Sequence, residues 1–188
     1  LLINWFYNKK LSNMFNLYEI VKYTKLVVLD FDGVFTDGGI YLDYKSQGFR
    51  RFDVKDGLGI KLLQKNDFII AIISGSNSKL IDERAKALGI KIVKKGISCK
   101  LKTLKDLQDD LNVKVEETIF LGDDINDLTV LPNVSLFIVP SDAHIGCKKK
   151  ASYKGKSKGG KGFIREIVDN LIFSKNLDPY SPFETKNE

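Results

Sequence analysis

The strongest constraint on the fold is a repeated alternation of short apolar runs with helical patterns. Four runs lack any polar–apolar alternation, which predicts strands buried on both faces: residues 25–30, 68–74, 118–122 and 134–139. Helical patterns lie between and after them, over residues 57–65, 78–88, 101–111 and 124–131. Strands that alternate with helices predict an α/β fold with a doubly wound parallel sheet and helices on both faces.

One segment interrupts the alternation directly after the first strand. Residues 40–43 and 49–54 flank a polar stretch at 44–48, which predicts a β-hairpin that leaves the sheet. At 188 residues the chain suits a single domain. We expect three regions along it: an N-terminal extension over 1–24, the α/β domain over 25–175 and a flexible tail over 176–188.

Composition excludes several classes of protein. Hydrophobic residues at 43% and charged residues at 29% are globular values, not those of a disordered chain. The longest apolar run, residues 68–73, is far shorter than the roughly 20 residues of a membrane helix, and the N-terminus has no secretory-signal pattern. The two cysteines form neither a metal-binding pattern nor a disulfide framework, so a cytoplasmic protein is expected.

Positive charge is concentrated near the C-terminus. Residues 143–165 hold seven lysines, one arginine and no acidic residue, whereas the whole chain has a net charge of +6. A basic stretch in an otherwise mildly acidic domain favours a local anion site. A nucleic-acid binder is the weaker alternative, because only Tyr153 lies among the lysines and no binding motif accompanies them.

Polar residues accumulate where the predicted strands end. They include two aspartates after the first strand, a serine and glycine after the second, a lysine that opens a helix, and three aspartates after the third: Asp30, Asp32, Ser74, Gly75, Lys100, Asp123, Asp124 and Asp127. The ligand crevice of an open parallel sheet lies at the carboxyl ends of its strands. We therefore expect these side chains to converge.

Convergence of several carboxylates requires a counter-charge, because like charges repel strongly in a partly dry site. Oxygen ligands select a hard cation, and Mg²⁺ fits a site that also takes phosphate oxygens. An ionised aspartate beside a phosphoryl group is a competent nucleophile. Because the chain turns at Gly33, Asp30 can face the metal and the phosphorus while Asp32 faces the leaving oxygen.

The same residues carry a resemblance to a known family. Asp-Phe-Asp-Gly-Val-Phe-Thr-Asp-Gly, residues 30–38, resembles the first motif of the haloacid dehalogenase superfamily. Ser74, Lys100 and Gly-Asp-Asp-Ile-Asn-Asp, residues 122–127, resemble the second, third and fourth motifs in the same order. The resemblance covers about residues 25–171 and implies a Rossmann-like fold with magnesium-dependent phosphatase activity.

The resemblance also implies a role for each matching residue. Asp30 would attack phosphorus to form an aspartyl-phosphate, and Asp32 would act as general acid and then general base. Mg²⁺ would be held by the Asp30 carboxylate, the Asp32 main-chain carbonyl and Asp123. Ser74 and Lys100 would bind the phosphoryl oxygens. Supporting positions behind these ligands are implied for two residues, Asp127 and, less firmly, Asp124.

The superfamily usually carries a cap domain, but the segments between the motifs have no room for one. The hairpin and residues 52–60, 141–144 and 159–166 resemble the capless sugar-acid phosphatases, in particular the 3-deoxy-D-manno-octulosonate 8-phosphate phosphatases. This resemblance implies a homotetramer whose hairpins form a central barrel and whose sites are completed by a neighbouring subunit. It implies a phosphorylated sugar acid as substrate and five substrate-binding candidates: Lys55, Gly75, His144, Lys161 and Arg165.

Three positions depart from that family's pattern. Lys161 and Lys55 stand where the family has arginine, and Ile145 stands where it has proline. Asp-Val-Lys-Asp, residues 53–56, also resembles phosphatase-like domains joined to sialic-acid cytidylyltransferases, so a nine-carbon 9-phosphate is an alternative substrate. A non-catalytic tetramerisation scaffold is a further alternative. Thr36 is predicted to start a helix and Asp56 to be a turn or cap residue.

Overall fold

The computed structural model describes residues 21–44 and 48–178. Its strands are β1 (Leu26–Leu29), β2 (Tyr41–Leu42), β3 (Gly48–Phe49), β4 (Ile69–Ile73), β5 (Ile92–Lys94), β6 (Thr118–Leu121), β7 (Leu136–Val139) and β8 (Tyr153–Lys154). Its α-helices are α1 (Val54–Lys65), α2 (Lys79–Leu88), α3 (Lys100–Leu111), α4 (Ile145–Lys150) and α5 (Phe163–Ser174). Two 3-10 helices, Val115–Glu117 and Ile125–Asn133, flank β6.

Six strands form a parallel sheet in the order β5-β4-β1-β6-β7-β8. The chain winds outward from β1 to β5, returns through α3 to the other side of β1, and then winds outward to β8. The direction therefore reverses between β1 and β6, which is where open α/β sheets bind ligands. The predicted α/β fold with a doubly wound, Rossmann-like sheet is confirmed.

Both faces of the sheet are covered. Val27 and Leu29 face a core formed with α1, α2 and α5, whereas Leu26 and Val28 face a second core formed with α3, α4 and the 3-10 helix after β6. Because successive side chains of a strand point to opposite faces, two covered faces require apolar residues at every position. This explains the uninterrupted apolar runs in the sequence.

The predicted hairpin exists but is shorter than expected. β2 and β3 pair antiparallel with Tyr41 opposite Phe49, and their rings stack at 5.3 Å. Residues 45–47, within the predicted turn, lie outside the described part of the chain. The predicted second strand over 49–54 is too long, because Asp53 caps α1 and accepts a hydrogen bond from the Lys55 N–H at 2.9 Å.

Other boundaries also differ from the sequence predictions. The helix predicted over 124–131 is a 3-10 helix, Ile125–Asn133, and the helix predicted from residue 57 begins at Val54. Five elements were not predicted: β5, β8, α4, α5 and the 3-10 helix Val115–Glu117. For α5 a signal existed, since Ile164, Ile167, Val168 and Leu171 form an apolar stripe at helical spacing and are buried.

Between the four motifs, the described residues form the hairpin, single helices and strands of the sheet, so they contain no cap domain. Residues 1–20 of the predicted N-terminal extension and 179–188 of the predicted tail lie outside the described residues. Within the part of the chain that the structure describes, no helix has the length and apolarity needed to cross a membrane.

Candidate active site

Three carboxylates meet at the carboxyl ends of β1 and β6. Asp30 follows β1, Asp123 follows β6, and Asp127 lies in the first turn of the 3-10 helix after β6. One oxygen of each lies within 4.8 Å of the others, and this set is called the carboxylate group below. Leu29 pairs with Leu121 at the ends of β1 and β6, so the loops that follow these two strands start side by side.

Lys100 supplies the positive charge in contact with this group. Its Nζ lies 2.9 Å from Asp30 Oδ1 and also forms an ion pair with Asp127 Oδ1. The ammonium is buried at the first turn of α3, where a charge is stable only when it is paired. Three carboxylates therefore face one ammonium, and negative charge remains in excess.

The pKa values reflect this excess. Burial raises the pKa of the Asp123 carboxyl to about 8, and the negative charges of Asp30, Asp127 and Asp124 act in the same direction. Burial also raises the pKa of Asp30, to about 6, although Lys100 opposes the shift. Burial alone would lower the pKa of Lys100, but Asp30 and Asp127 outweigh it, so the net shift is upward. These residues fit a divalent cation with a preference for oxygen ligands.

Asp127 organises the loop after β6. Its carboxylate is fully buried, and Oδ2 accepts hydrogen bonds from the main-chain N–H groups of Asp123 at 2.9 Å and Asp124 at 3.3 Å. A side chain at Gly122 would lie 2.6 Å from this carboxylate, so glycine is needed there. Asp124 itself is exposed and caps the 3-10 helix by accepting from the Ile125 N–H at 2.7 Å.

Gly33 lets the first loop approach Asp123. It has a φ of +81°, and a Cβ at this position would lie 2.0 Å from Asp123 Oδ2. The adjacent Asp32 side chain is not part of the carboxylate group. Instead, Asp32 Oδ1 accepts a hydrogen bond from Arg50 Nε at 3.0 Å. Arg50 was missed in the sequence because nothing there fixed the register of the hairpin.

Ser74 and Gly75 follow β4. Ser74 is buried, and its Oγ accepts a hydrogen bond from the Ser76 N–H at 3.2 Å, which leaves the hydroxyl hydrogen available to a ligand oxygen. Gly75 is exposed, and an added Cβ would approach only the Ile97 carbonyl, at 3.7 Å.

Thr36 does not start a helix, contrary to the sequence prediction. It is buried in the loop after β1, and its hydroxyl accepts from the N–H groups of Gly33 and Gly38, each at 3.2 Å. These hydrogen bonds of Thr36 therefore stabilise the turn that carries Asp32. Its short polar side chain satisfies main-chain groups that the left-handed glycines leave unpaired.

The remaining substrate-binding candidates lie outside the carboxylate group. Lys55 is exposed on the first turn of α1, and Lys161 is exposed in the loop before α5. His144 caps α4, since its Nδ1 accepts from the Gly146 N–H at 3.1 Å. The main-chain N–H of His144 donates to the Asp123 carbonyl at 2.8 Å. Arg165 Nε donates to Asp169 at 2.7 Å on the same helix. The substrate roles of all four stay predictions.

Known proteins are similar to this chain in sequence. A family model of haloacid dehalogenase-like hydrolases matches residues 64–167. The 3-deoxy-D-manno-octulosonate 8-phosphate phosphatase of Yersinia pestis is 36% identical over 152 residues, which cover 81% of each chain. The sequence resemblance to the superfamily and to its sugar-acid phosphatases is thereby confirmed.

Solved structures agree in fold. A subfamily III A hydrolase of the superfamily from Legionella pneumophila superimposes with a TM-score of 0.87 at 30% identity, over 89% of this chain and 92% of that one. The 3-deoxy-D-manno-octulosonate 8-phosphate phosphatase of Moraxella catarrhalis, in complex with magnesium, phosphate and KDO, gives 0.81 at 31% identity over 85% and 91%. The chain belongs to the haloacid dehalogenase-like hydrolases and is an enzyme of that family.

Proposed function

We propose that the chain is a Mg²⁺-dependent phosphatase that hydrolyses the phosphate ester of a 3-deoxy-ulosonic acid, 3-deoxy-D-manno-octulosonate 8-phosphate. The observation that carries the proposal is the carboxylate group with Lys100 at the β1–β6 reversal. It occurs in a chain that shares 36% identity with a phosphatase named for this substrate.

The reaction has two steps in this proposal. An oxygen of Asp30 attacks phosphorus while the bond to the ester oxygen breaks, and Asp32 donates a proton to the departing alkoxide. Water then attacks phosphorus of the aspartyl-phosphate, Asp32 takes its proton, and Asp30 is regenerated. Ser74 and Lys100 bind the phosphoryl oxygens by hydrogen bonding and charge.

Mg²⁺ would be held by the carboxylates of Asp30 and Asp123 and by the main-chain carbonyl of Asp32. When bound, it supplies positive charge that offsets repulsion between the carboxylates and the phosphoryl oxygens. Asp127 would hold Lys100 and the Asp123 loop in place, because it forms an ion pair with Lys100 and accepts hydrogen bonds from two N–H groups of that loop.

Assembly as a homotetramer is part of the proposal. The hairpin exposes several large apolar side chains, Ile40, Leu42, Tyr44 and Phe49 among them. Exposed apolar patches of this kind mark contact surfaces. A site without a cap domain also needs cover to exclude water. A neighbouring subunit, with Lys161 and Arg165 approaching from its C-terminal segment, would provide this cover.

We place the enzyme in the cytoplasm, in line with its two free cysteines.

A nine-carbon sugar acid 9-phosphate is the second candidate substrate. Lys55 favours it, because lysine stands here where the eight-carbon enzymes have arginine, and the two differ in how they bind a carboxylate. Its exposed position on α1 is compatible with contact to a substrate or to a neighbour.

Phosphate release with Mg²⁺ tests these alternatives, with 3-deoxy-D-manno-octulosonate 8-phosphate and a sialate-type 9-phosphate as substrates and Asp30→Asn as control. We expect a strong preference for the eight-carbon ester that is lost in the variant. Preference for the nine-carbon ester would keep the chemistry and change the substrate. No turnover of either ester would favour the non-catalytic scaffold.

A further inference from the structure

Arg50 contacts the carboxylate that the proposed mechanism uses as acid and base. Its Nε lies 3.0 Å from Asp32 Oδ1, and its side chain is only 13% exposed, against 35% for that of Asp32. The long cation is thus more enclosed than the carboxylate it binds. A partly buried, charge-assisted hydrogen bond of this length restricts the side-chain torsions of both partners.

The main chain fixes Arg50 in this place. Thr36 and Phe52 form an isolated antiparallel bridge, which joins the end of the hairpin to the loop that carries Asp32. Phe52 is itself held between Phe31, with ring centroids 5.7 Å apart, and the Arg84 guanidinium, 4.9 Å from its ring. Arg50 therefore reaches Asp32 from a segment that is anchored two residues further along.

The neighbouring Arg51 points elsewhere. It donates to the Gly160 carbonyl and lies 3.4 Å from Asp53, in agreement with the alternating directions of an extended chain. Of these two adjacent arginines of equal charge, Arg50 contacts Asp32 and Arg51 does not.

We propose that Arg50 is a positioning residue that holds the Asp32 carboxylate in the orientation from which it protonates the leaving oxygen. Arg50 occupies Oδ1, and among the described residues no hydrogen-bond donor is assigned to Oδ2, which is then the oxygen that carries the proton. The inference rests on the proposed phosphatase function. It also makes the hairpin part of the catalytic apparatus, because the segment that leaves β3 carries Arg50.

Substituted phenyl phosphates separate this role from others, because they lack a carboxylate and differ in the pKa of the leaving phenol. The ratio kcat/KM reports steps up to departure of the phenol, where the acid acts. For Arg50→Gln we expect a loss of about tenfold with phenyl phosphate that shrinks to about twofold or less with 4-nitrophenyl phosphate, whose anion leaves without a proton. Arg50→Lys should restore part of the loss.

Arg51→Gln is the matched control and should give a loss that is the same for all phenols. A uniform loss for Arg50→Gln as well would overturn the inference. So would a rise in KM confined to the sugar-acid phosphate, since Arg50 would then bind the substrate carboxylate. Thermal unfolding identifies a misfolded glutamine variant, in which case Arg50→Lys supplies the same comparison. Wild-type protein without activity on any ester would instead refute the proposed function.

Discussion

At the scale of single residues, Asp123 is the member of the carboxylate group that forms no ion pair with Lys100. Lys100 contacts Asp30 and Asp127, so within the described residues no ion pair compensates Asp123. A carboxyl with a raised pKa in the folded protein keeps a proton that the unfolded chain releases. Its contribution to stability is therefore present at low pH and is lost as pH rises from about 4 towards the folded value of about 8.

Metal-free protein should accordingly lose stability between pH 5 and pH 8, and Mg²⁺ should raise the Tm more at pH 8 than at pH 5. The expected difference is several degrees, because about 1 kcal/mol shifts the Tm of a chain of this size by roughly 2–4 °C. Thermal unfolding in Mg²⁺ and in EDTA measures it. Asp123→Asn should stabilise the metal-free protein and abolish the gain, whereas the exposed Asp124→Asn should change little. Equal behaviour of the two variants would contradict the assignment.

Gly33→Ala tests how closely the two loops must approach. The substitution combines strain at a positive φ with a Cβ 2.0 Å from Asp123 Oδ2, so it should lower both stability and Mg²⁺ affinity. Gly38→Ala is the matched control, since its φ is +73° but its nearest neighbour lies 3.9 Å away. We expect about 1 kcal/mol of strain from Gly38→Ala with unchanged metal affinity. Similar magnesium titrations for both variants would refute a specific role for Gly33.

The sequence predicted part of the convergence and not all the contacts. Asp30, Lys100, Asp123 and Asp127 do converge, because each follows or faces the end of a buried strand, whereas the Asp32 side chain is not part of the carboxylate group. Arg50 was not predictable, since its contact with Asp32 depends on the hairpin register and on the Thr36–Phe52 bridge. Thr36 was wrongly placed at a helix start, because a threonine near glycines caps a turn as readily as a helix.

At the scale of elements, the continuous apolar runs of the sequence predicted the central strands, whereas two short strands were not predicted. β5 and β8 have three and two residues and are partly exposed, so neither carries a clear pattern. The start of α1 was placed too late in the sequence. Residues up to Asp53 are extended, and the helix begins directly after Asp53 because its side chain caps the first turn.

Asp56 connects α1 to α5. From α1, its buried carboxylate accepts hydrogen bonds from the N–H groups of Gly162 at 3.1 Å and Arg165 at 2.9 Å, so it caps α5 across space. Asp56→Ala should reduce the free energy of unfolding by roughly 2–3 kcal/mol, because two partly buried N–H groups lose a charged acceptor.

Denaturant unfolding measures this loss, and Asp53→Ala provides the comparison. Asp53 caps α1 through a single N–H group, that of Lys55, in a more exposed position. Its loss should cost about 1 kcal/mol. A larger effect at Asp53 than at Asp56 would show that the contact between α1 and α5 does not depend on this carboxylate.

At the scale of the whole molecule, the hairpin leaves several large apolar side chains exposed in a single copy of the chain. Phe49→Asp should dissociate the proposed tetramer, because a charge would be buried in an apolar contact between subunits. Phe173→Asp is the matched control: Phe173 is 68% exposed and Phe49 55%, but Phe173 lies on α5 and outside the hairpin. Sedimentation velocity should give a smaller species for Phe49→Asp alone. A wild-type monomer would exclude the assembly.

The most direct test of the central claim is detection of a phosphoryl group on Asp30. Acid quenching during turnover, followed by mass spectrometry of the peptides, should show the peptide with Asp30 heavier by one phosphoryl group. With 4-nitrophenyl phosphate, whose anion leaves without a proton, the modified fraction should increase in Asp32→Asn, because this variant then slows only hydrolysis of the intermediate. The modification should be absent in Asp30→Asn. Undiminished turnover by Asp30→Asn, or a phosphoryl group on another residue, would contradict the account.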